Sequence, residues 1–284
     1  MRTTFRILGL ILIAQLMSFL FLFIFNDLSL DINNYSEKLS LEIVKKIGVD
    51  LYVLISQLMS IFIPSLIFLV IFHIKSFRSW IKLYLPGNSA FFVYGIMLLF
   101  FSYPLIQFSA VINQKLPLAQ WLNEENQMAA EITKMILDFQ SPYDLIIRIL
   151  LVALLPAVGE ELFFRAGLQN ELIKGFRNRD LAIITASLIF SAFHLQFDGF
   201  LPRFFLGLIM GYLYYWSSSI YVPMLVHFAN NLMLIVSAYL TQDVLKQNDM
   251  QQIPEIPIFV LLISAIAVFI VRIKLINLKS ETIL

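Results

Sequence analysis

The stretch PAVGEELFFRAGLQ, residues 156–169, restricts the fold of this chain more than any other segment. It contains two adjacent carboxylates, Glu160 and Glu161, and the guanidinium of Arg165, and its neighbours on both sides are almost entirely apolar. Charged groups at membrane depth are costly, so they face the interior of a helix bundle and pair there. The stretch therefore predicts a helix inside a membrane-embedded bundle.

The composition of the whole chain favours the same class. Of its 284 residues, 60% are hydrophobic and only 14% are charged, and the mean hydropathy is +0.83. Soluble domains differ strongly from these values, so we expect an all-α, polytopic membrane helix bundle. The net charge of +1 provides no field that would attract nucleic acid. Because the chain has no cysteine, disulfides, thiolate nucleophiles and cysteine zinc sites are excluded.

Apolar segments separated by polar turns predict about eight transmembrane helices, with the site inside the bundle. The first is a retained helix, because its apolar run is too long for the core of a signal peptide. The predicted spans are the N-terminal stretch to residue 25, 49–74, 90–112, 143–175, 181–197, 203–217, 221–240 and 257–276.

The distribution of charge sets the predicted orientation. Basic residues at the N-terminus, at 75–82, at 174–179 and at the C-terminus all fall on one side of this arrangement, which the positive-inside rule assigns to the cytoplasm. Both termini are therefore predicted to be cytoplasmic. The acidic segment 113–142 is predicted to lie outside, with an amphipathic helix over 121–139 on the outer surface.

No internal repeat or linker divides the chain, so we expect one transmembrane domain, residues 1–284. A GxxxG pair, Gly207 and Gly211, would let a neighbouring backbone approach the sixth span. The predicted parts of the domain are variable N-terminal helices over 1–142, a motif-bearing core over 143–240, and a last loop and C-terminal helix over 241–284.

The charges in the quoted stretch predict different partners for its two carboxylates. Glu161 and Arg165 are four residues apart, so they share a helix face in the favourable order for an ion pair. Glu160 is rotated by about 100° from Glu161 and needs a partner elsewhere. The two carboxylates are therefore expected to have different roles.

Two of the three histidines, His194 and His227, fall within predicted spans downstream of these carboxylates. If the fourth and fifth helices form a hairpin that turns near residue 177, Glu160 and His194 lie 17 residues on either side of the turn, at nearly the same depth. Asn231 lies one turn after His227 on the same helix face. His73, at a cytoplasmic helix end, is expected to be interfacial.

Spacing alone leaves three interpretations of these groups. They can satisfy one another as purely structural contacts between helices, they can form a hydrolytic site, or they can carry protons in a proton-coupled transporter. The spans offer few polar groups outside these motifs, which favours a localised site over a transport path.

The motifs together resemble the CPBP family of intramembrane proteases, also called the Abi or CAAX-protease family. Its pattern is EExxxR, then FxxxH, then HxxxN, and this chain has the three motifs in that order. The residues that carry the resemblance are Glu160, Glu161 and Arg165; Phe190 and His194; and His227 and Asn231.

The resemblance implies an eight-helix membrane endopeptidase that hydrolyses a peptide bond with activated water. Glu160 is expected to act as general base, with His194 orienting the water. His227 and Asn231 are expected to donate hydrogen bonds to the oxyanion. Supporting roles are expected for the remaining motif residues: Glu161 and Arg165 hold the helix face or contact the substrate terminus, and Phe190 shapes the pocket.

A zinc-dependent version of the same protease is the alternative, with Glu160, His194 and His227 as metal ligands. The metal-free mechanism is favoured because the amide of Asn231 suits an oxyanion better than zinc. The expected partners are the lipid bilayer and a peptide or protein substrate, which can itself be membrane-associated, with no nucleic acid. The expected location is a bacterial plasma membrane. A non-catalytic immunity protein is the remaining alternative function, because bacterial members of the family that the chain resembles are linked to bacteriocin immunity.

Overall fold

The computed structural model describes residues 2–25, 44, 47–116, 130–194, 196–247 and 256–283. Within these ranges the chain is helical and contains no β-strand, which confirms the predicted all-α class. The first half of the amphipathic helix predicted over 121–139 lies outside the described residues.

Eight long helices occur in the described ranges. They are α1 (Arg2–Phe25), α2 (Val49–Trp80), α3 (Ala90–Gln114), α4 (142–176), α5 (Arg179–Phe193), α6 (Phe200–Ser217), α7 (Tyr221–Gln247) and α8 (Ile258–Ile283). By length and apolar composition, five of the described helices can cross a membrane: α1, α2, α3, α7 and α8. The predicted count of about eight transmembrane helices is therefore not confirmed, although each predicted span corresponds to one of the helices.

Two apolar clusters hold the helices together. The first joins α1, α2, α4, α5 and α6 around residues such as Phe68 and Phe164, which are fully buried. The second joins α3, α6, α7 and α8. Many large apolar side chains remain exposed on the outer faces, including Leu262 and Ile266 on α8, and such a surface suits contact with lipid.

The hairpin of α4 and α5 turns where the sequence predicts it. Arg177 adopts a left-handed conformation, with φ of 54°, and ends α4. The side chain of Asn178 then accepts hydrogen bonds from the backbone N–H groups of Asp180 and Leu181 and caps α5. One correction concerns the end of α5, which the sequence placed at residue 197. The helix ends at Phe193, so His194 lies just beyond it rather than within a span.

The predicted close approach at the GxxxG pair is confirmed. A Cβ atom added at Gly207 would lie 3.2 Å from the backbone Cα of Ser187 on α5. One added at Gly211 would lie 2.8 Å from Ile183 and 2.9 Å from Gln169 Oε1. Since Gln169 Nε2 donates to the Gly211 carbonyl, the glycines let α6 contact both α4 and α5.

The basic stretches gather at one end of the bundle, as the positive-inside argument requires. Thr3 of α1 packs beside Gly175 near the α4–α5 turn. Lys82, after α2, donates to the carbonyl of Tyr214 at the end of α6. Lys279 of α8 donates to the next carbonyl, that of Tyr215.

Candidate functional site

A cavity of about 780 Å³ opens beside the motif residues. Glu160 of α4 and His194, just after α5, line it, and Ile132 and Ile136 contribute apolar surface. Helices α1 and α2, which carry no motif, supply a polar wall. The lining residues of that wall are Ser18, Tyr52, Ser56, Gln57 and Ser60.

Glu160 lies between the two motif histidines. Its Oε2 atom is 4.0 Å from Nε2 of His194 and 3.8 Å from Nε2 of His227. The residue is only 6% exposed, and Oε2 has no hydrogen-bond partner among the described residues. These separations are too long for direct hydrogen bonds but suit a bridging water molecule. Glu160 and His194 thus lie next to each other, as the predicted hairpin requires.

His194 presents one ring nitrogen to Glu160. Its Nδ1 lies 2.9 Å from the carbonyl oxygen of Phe190, one turn earlier on α5. Because a carbonyl only accepts, Nδ1 donates, and in the neutral ring Nε2 carries the lone pair. The side chain is 30% exposed, which makes it the most accessible member of the group.

His227 is held by the second carboxylate of the quoted stretch. Its Nδ1 lies 2.9 Å from Oε1 of Glu161, and both side chains are buried. The other carboxylate oxygen of Glu161 lies 2.9 Å from Nε of Arg165, as the spacing of four residues predicted. Sequence reasoning missed the contact between Glu161 and His227, because it joins two helices that are far apart in the chain.

Arg165 is completely buried. Its Cζ lies 5.3 Å from the ring centroid of Phe190, a cation–π distance. The ring of Phe190 also meets those of His194 and His227 edge-on. The ring of Phe190 therefore contacts the guanidinium and both imidazoles, and its role in shaping the pocket stays a prediction.

Asn231 has a different partner in this structure. Its Nδ2 donates to the carbonyl oxygen of Val152 on α4 at 3.4 Å. The α-helical donor to this carbonyl is missing, because Pro156, four residues later, has no N–H. Residues 149–154 accordingly form a π-helical turn. Asn231 thus contacts α4 two turns before Glu160, and its role at an oxyanion stays a prediction.

We call Glu160, Glu161, Arg165, His194 and His227 the site cluster.

The segment that follows His194 is held from α3 by Asn113, which is 1% exposed. Its Nδ2 donates to the carbonyls of Phe197 and Asp198, and its Oδ1 accepts from the N–H of Leu201. Sequence reasoning missed Asn113, whose only signal was its place beside Gln114 at the end of an otherwise apolar helix.

The third histidine corrects a prediction. His73 is 5% exposed rather than interfacial, because Nε2 lies 3.0 Å from Oε1 of Glu171 and its ring stacks on Trp80 at 3.7 Å. Arg6 of α1 reaches the same carboxylate oxygen at 3.2 Å, and Nζ of Lys174 lies over Trp80. We call these five residues the closed cluster. It joins α1, α2 and α4.

The described residues contain no group of three or more His, Cys, Asp or Glu side chains arranged to hold a metal ion. Nδ1 of His227 bonds to Glu161 and Nδ1 of His194 to a backbone carbonyl, so Nε2 of both rings is left facing Glu160. A metal requirement remains a question for chelation.

Comparison with known proteins identifies the segment that carries these motifs. Residues 142–233 match the family model described as type II CAAX prenyl endopeptidase Rce1-like. No curated protein and no solved structure matches the chain. The matched segment covers α4, α5, α6 and the first half of α7, and it contains every residue of the site cluster.

Proposed function

The chain belongs to the CPBP/CAAX protease family through its Rce1-like segment, and from this we propose that it is an intramembrane endopeptidase whose water is activated by Glu160 and His194. The observation that carries the proposal is the position of Glu160 Oε2, which lies 4.0 Å from Nε2 of His194 and 3.8 Å from Nε2 of His227. The cavity beside it provides room for a peptide.

In the proposed reaction, a water molecule is held between Glu160 Oε2 and Nε2 of His194. Glu160 takes a proton as the water oxygen bonds to the carbonyl carbon of the substrate. The same proton then passes to the amide nitrogen as the C–N bond breaks. The products are one fragment with a new C-terminal carboxylate and one fragment with a new N-terminal amine.

His227 stabilises the negative charge on the carbonyl oxygen. Since its Nδ1 donates to Glu161, Nε2 can donate only when the ring is protonated. The carboxylate of Glu161 stabilises that positive ring, and Arg165 orients the carboxylate. Glu161 and Arg165 are therefore positioning residues, and Asn231 would act as a second donor once its amide leaves Val152.

A cleavage assay tests the proposal. The substrates are fluorogenic peptides that end in Cys-Val-Ile-Leu, one farnesylated on cysteine and one unmodified, with purified protein in bilayer discs. Wild type is expected to release Val-Ile-Leu, and Glu160→Gln, His194→Ala and His227→Ala are expected to release none. His73→Ala is the matched control, because it removes the one histidine outside the site cluster.

The same assay separates the alternatives. Loss of activity with a zinc chelator, and recovery with added zinc, would favour the zinc-dependent protease. Solute movement into proteoliposomes without any cleavage would favour a transporter, and neither activity in a folded protein would favour an immunity or structural role.

The protein acts in a membrane, and we further propose that it is a bacterial plasma-membrane protein with both termini cytoplasmic. The clustering of basic residues from the N-terminus, the α4–α5 turn and α8 at one end supports this orientation. The preferred substrates are peptides or proteins at the membrane, and the polar wall of the cavity from α1 and α2 is where they would bind.

A further inference from the structure

A second cation lies next to the site cluster, and the proposed reaction does not use it. Arg203, in the first turn of α6, donates through Nη1 to Oε1 of Gln196 at 3.3 Å. Gln196 in turn lines the cavity that contains Glu160 and His194. Arg203 is therefore connected to the substrate cavity through one side chain.

The guanidinium of Arg203 has unused donors. Its Nε and Nη2 atoms are buried and have no hydrogen-bond acceptor among the described residues. Buried donors without acceptors are costly, and those of a charged group more so. The charge of Arg203 interacts with the carboxylate of Asp198, which is exposed, and with that of Glu160. Its one hydrogen-bond acceptor among the described residues, Gln196, is neutral, so the group is well suited to an additional anion.

The position of the guanidinium is well defined. A Cβ atom added at Gly199 would lie only 2.7 Å from Nη1 of Arg203, so the side chain packs closely against the backbone there. Asn113 holds the same segment through three hydrogen bonds. A preorganised cation of this kind binds a carboxylate more tightly than a mobile one.

The chemistry of the proposed reaction supplies such an anion. An enzyme that removes three residues from a C-terminus meets a free carboxylate at about 10 Å from the carbonyl it attacks, the length of three extended residues. The cation that binds this carboxylate should lie near the site cluster but outside it. Arg203, a few residues after His194 in the chain, meets that condition.

We infer that Arg203, together with the amide of Gln196, binds the C-terminal carboxylate of the substrate and so sets the preference for cleavage near a free C-terminus. The inference rests on the proposed protease function and adds to it a residue that selects the substrate. It assigns Arg203 to binding and not to the bond-breaking step.

The test compares two substrates in wild type and three variants. One peptide ends in Cys-Val-Ile-Leu as the free acid, and the other is identical except for a C-terminal amide. Wild type should show a KM at least about tenfold lower for the acid, because a charge-assisted contact is lost with the amide. Arg203→Gln should raise the KM for the acid to that of the amide and leave kcat unchanged. Arg203→Lys should keep part of the preference, and Arg272→Gln, an exposed arginine on α8, should keep all of it.

A binding measurement decides the case if turnover is absent. The tripeptide Val-Ile-Leu, as acid or amide, is titrated into wild type and variants while thermal unfolding is followed. Wild type should bind the acid at least about tenfold more tightly than the amide, and Arg203→Lys should bind it more weakly. Equal treatment of acid and amide by wild type, or a preference that survives Arg203→Gln, would overturn the inference. Absence of cleavage together with acid-selective binding would instead reject the proposed function alone.

Discussion

Helix α4 carries two buried glutamates, Glu171 and Glu160, that face histidines from other parts of the bundle, and the two sites differ in what their atoms contact. In the closed cluster, His73 and Glu171 bond directly at 3.0 Å and Arg6 covers the same carboxylate oxygen. In the site cluster, Glu160 lies about 4 Å from each imidazole and borders a cavity. The two carboxylates are eleven residues apart, about 16 Å along the helix.

The difference shows that burial of a carboxylate beside a histidine does not by itself indicate chemistry. Where the two groups bond each other directly, as His73 and Glu171 do, the contact stabilises the fold. Where a third group holds the histidine and leaves a gap to the carboxylate, water and substrate can enter. Glu161 provides that third group for His227, and the carbonyl of Phe190 provides it for His194.

The largest expected effect comes from Glu160→Gln. We expect cleavage to fall by about 10³- to 10⁴-fold, or about 4–5.5 kcal/mol in the barrier, because the general base is lost while the shape is kept. Glu171→Gln in the closed cluster should retain the activity per folded molecule. Initial cleavage rates with the farnesylated peptide measure the activity of both variants. Equal losses of activity in Glu160→Gln and Glu171→Gln would contradict the proposed difference between the two clusters.

His73→Ala should act on stability instead. Removal of one partner from a buried pair costs about 3–5 kcal/mol, and the stacking on Trp80 is lost as well. Thermal unfolding in detergent should show a lower midpoint, with kcat unchanged at temperatures where the variant is folded. A large drop in kcat at full folding would indicate that the closed cluster contributes to the reaction.

Glu161→Gln sharpens the comparison within the site cluster. The amide can still accept from His227 Nδ1, but it no longer stabilises a protonated ring. We expect kcat to fall by about 10²-fold with little change in KM, because the lost interaction belongs to the transition state. Unchanged kcat would show that Glu161 has only a structural pairing with Arg165.

Asn113→Leu tests how the segment after His194 is held. Three hydrogen bonds disappear, and the buried amide of Asn113 no longer holds the backbone of Phe197, Asp198 and Leu201. The expected loss of stability is about 1–3 kcal/mol, from unsatisfied buried groups. Ser109→Ala is the control, since that hydroxyl bonds only to Ile106 in its own helix, and it should lower the unfolding midpoint less.

The smallest effect concerns Lys82, which lies outside both clusters. Burial, together with the charge of Lys279, lowers the pKa of Lys82 to about 8 from 10.5. Between these two values the unfolded chain holds a proton that the folded chain has released, so stability should rise with pH across this window. Lys82→Met should remove that rise, whereas Lys75→Met, at an exposed position, should leave it. Unfolding midpoints from pH 7 to 10.5 provide the measurement.

Much of the bundle was predictable because its signals are local. Apolar runs and basic turns predicted the helices, and the spacing of Glu160 and His194 about residue 177 predicted their meeting. The end of α5 was wrong, because the apolar residues continue past Phe193 while the backbone turns to place His194 beside Glu160. His73 was also wrong, since its position at a helix end gave no sign of Arg6 and Glu171 closing over it.

By itself, the sequence determined the helical class, the order of the elements and the pairing of Glu161 with Arg165, because periodicity and hydropathy act over one or two turns. Only the tertiary structure decided that His227 meets Glu161, that helices without motifs form a wall of the cavity, and that Arg203 reaches the cavity through Gln196. Such contacts depend on how helices far apart in the chain pack together, and no local pattern of residues records that packing.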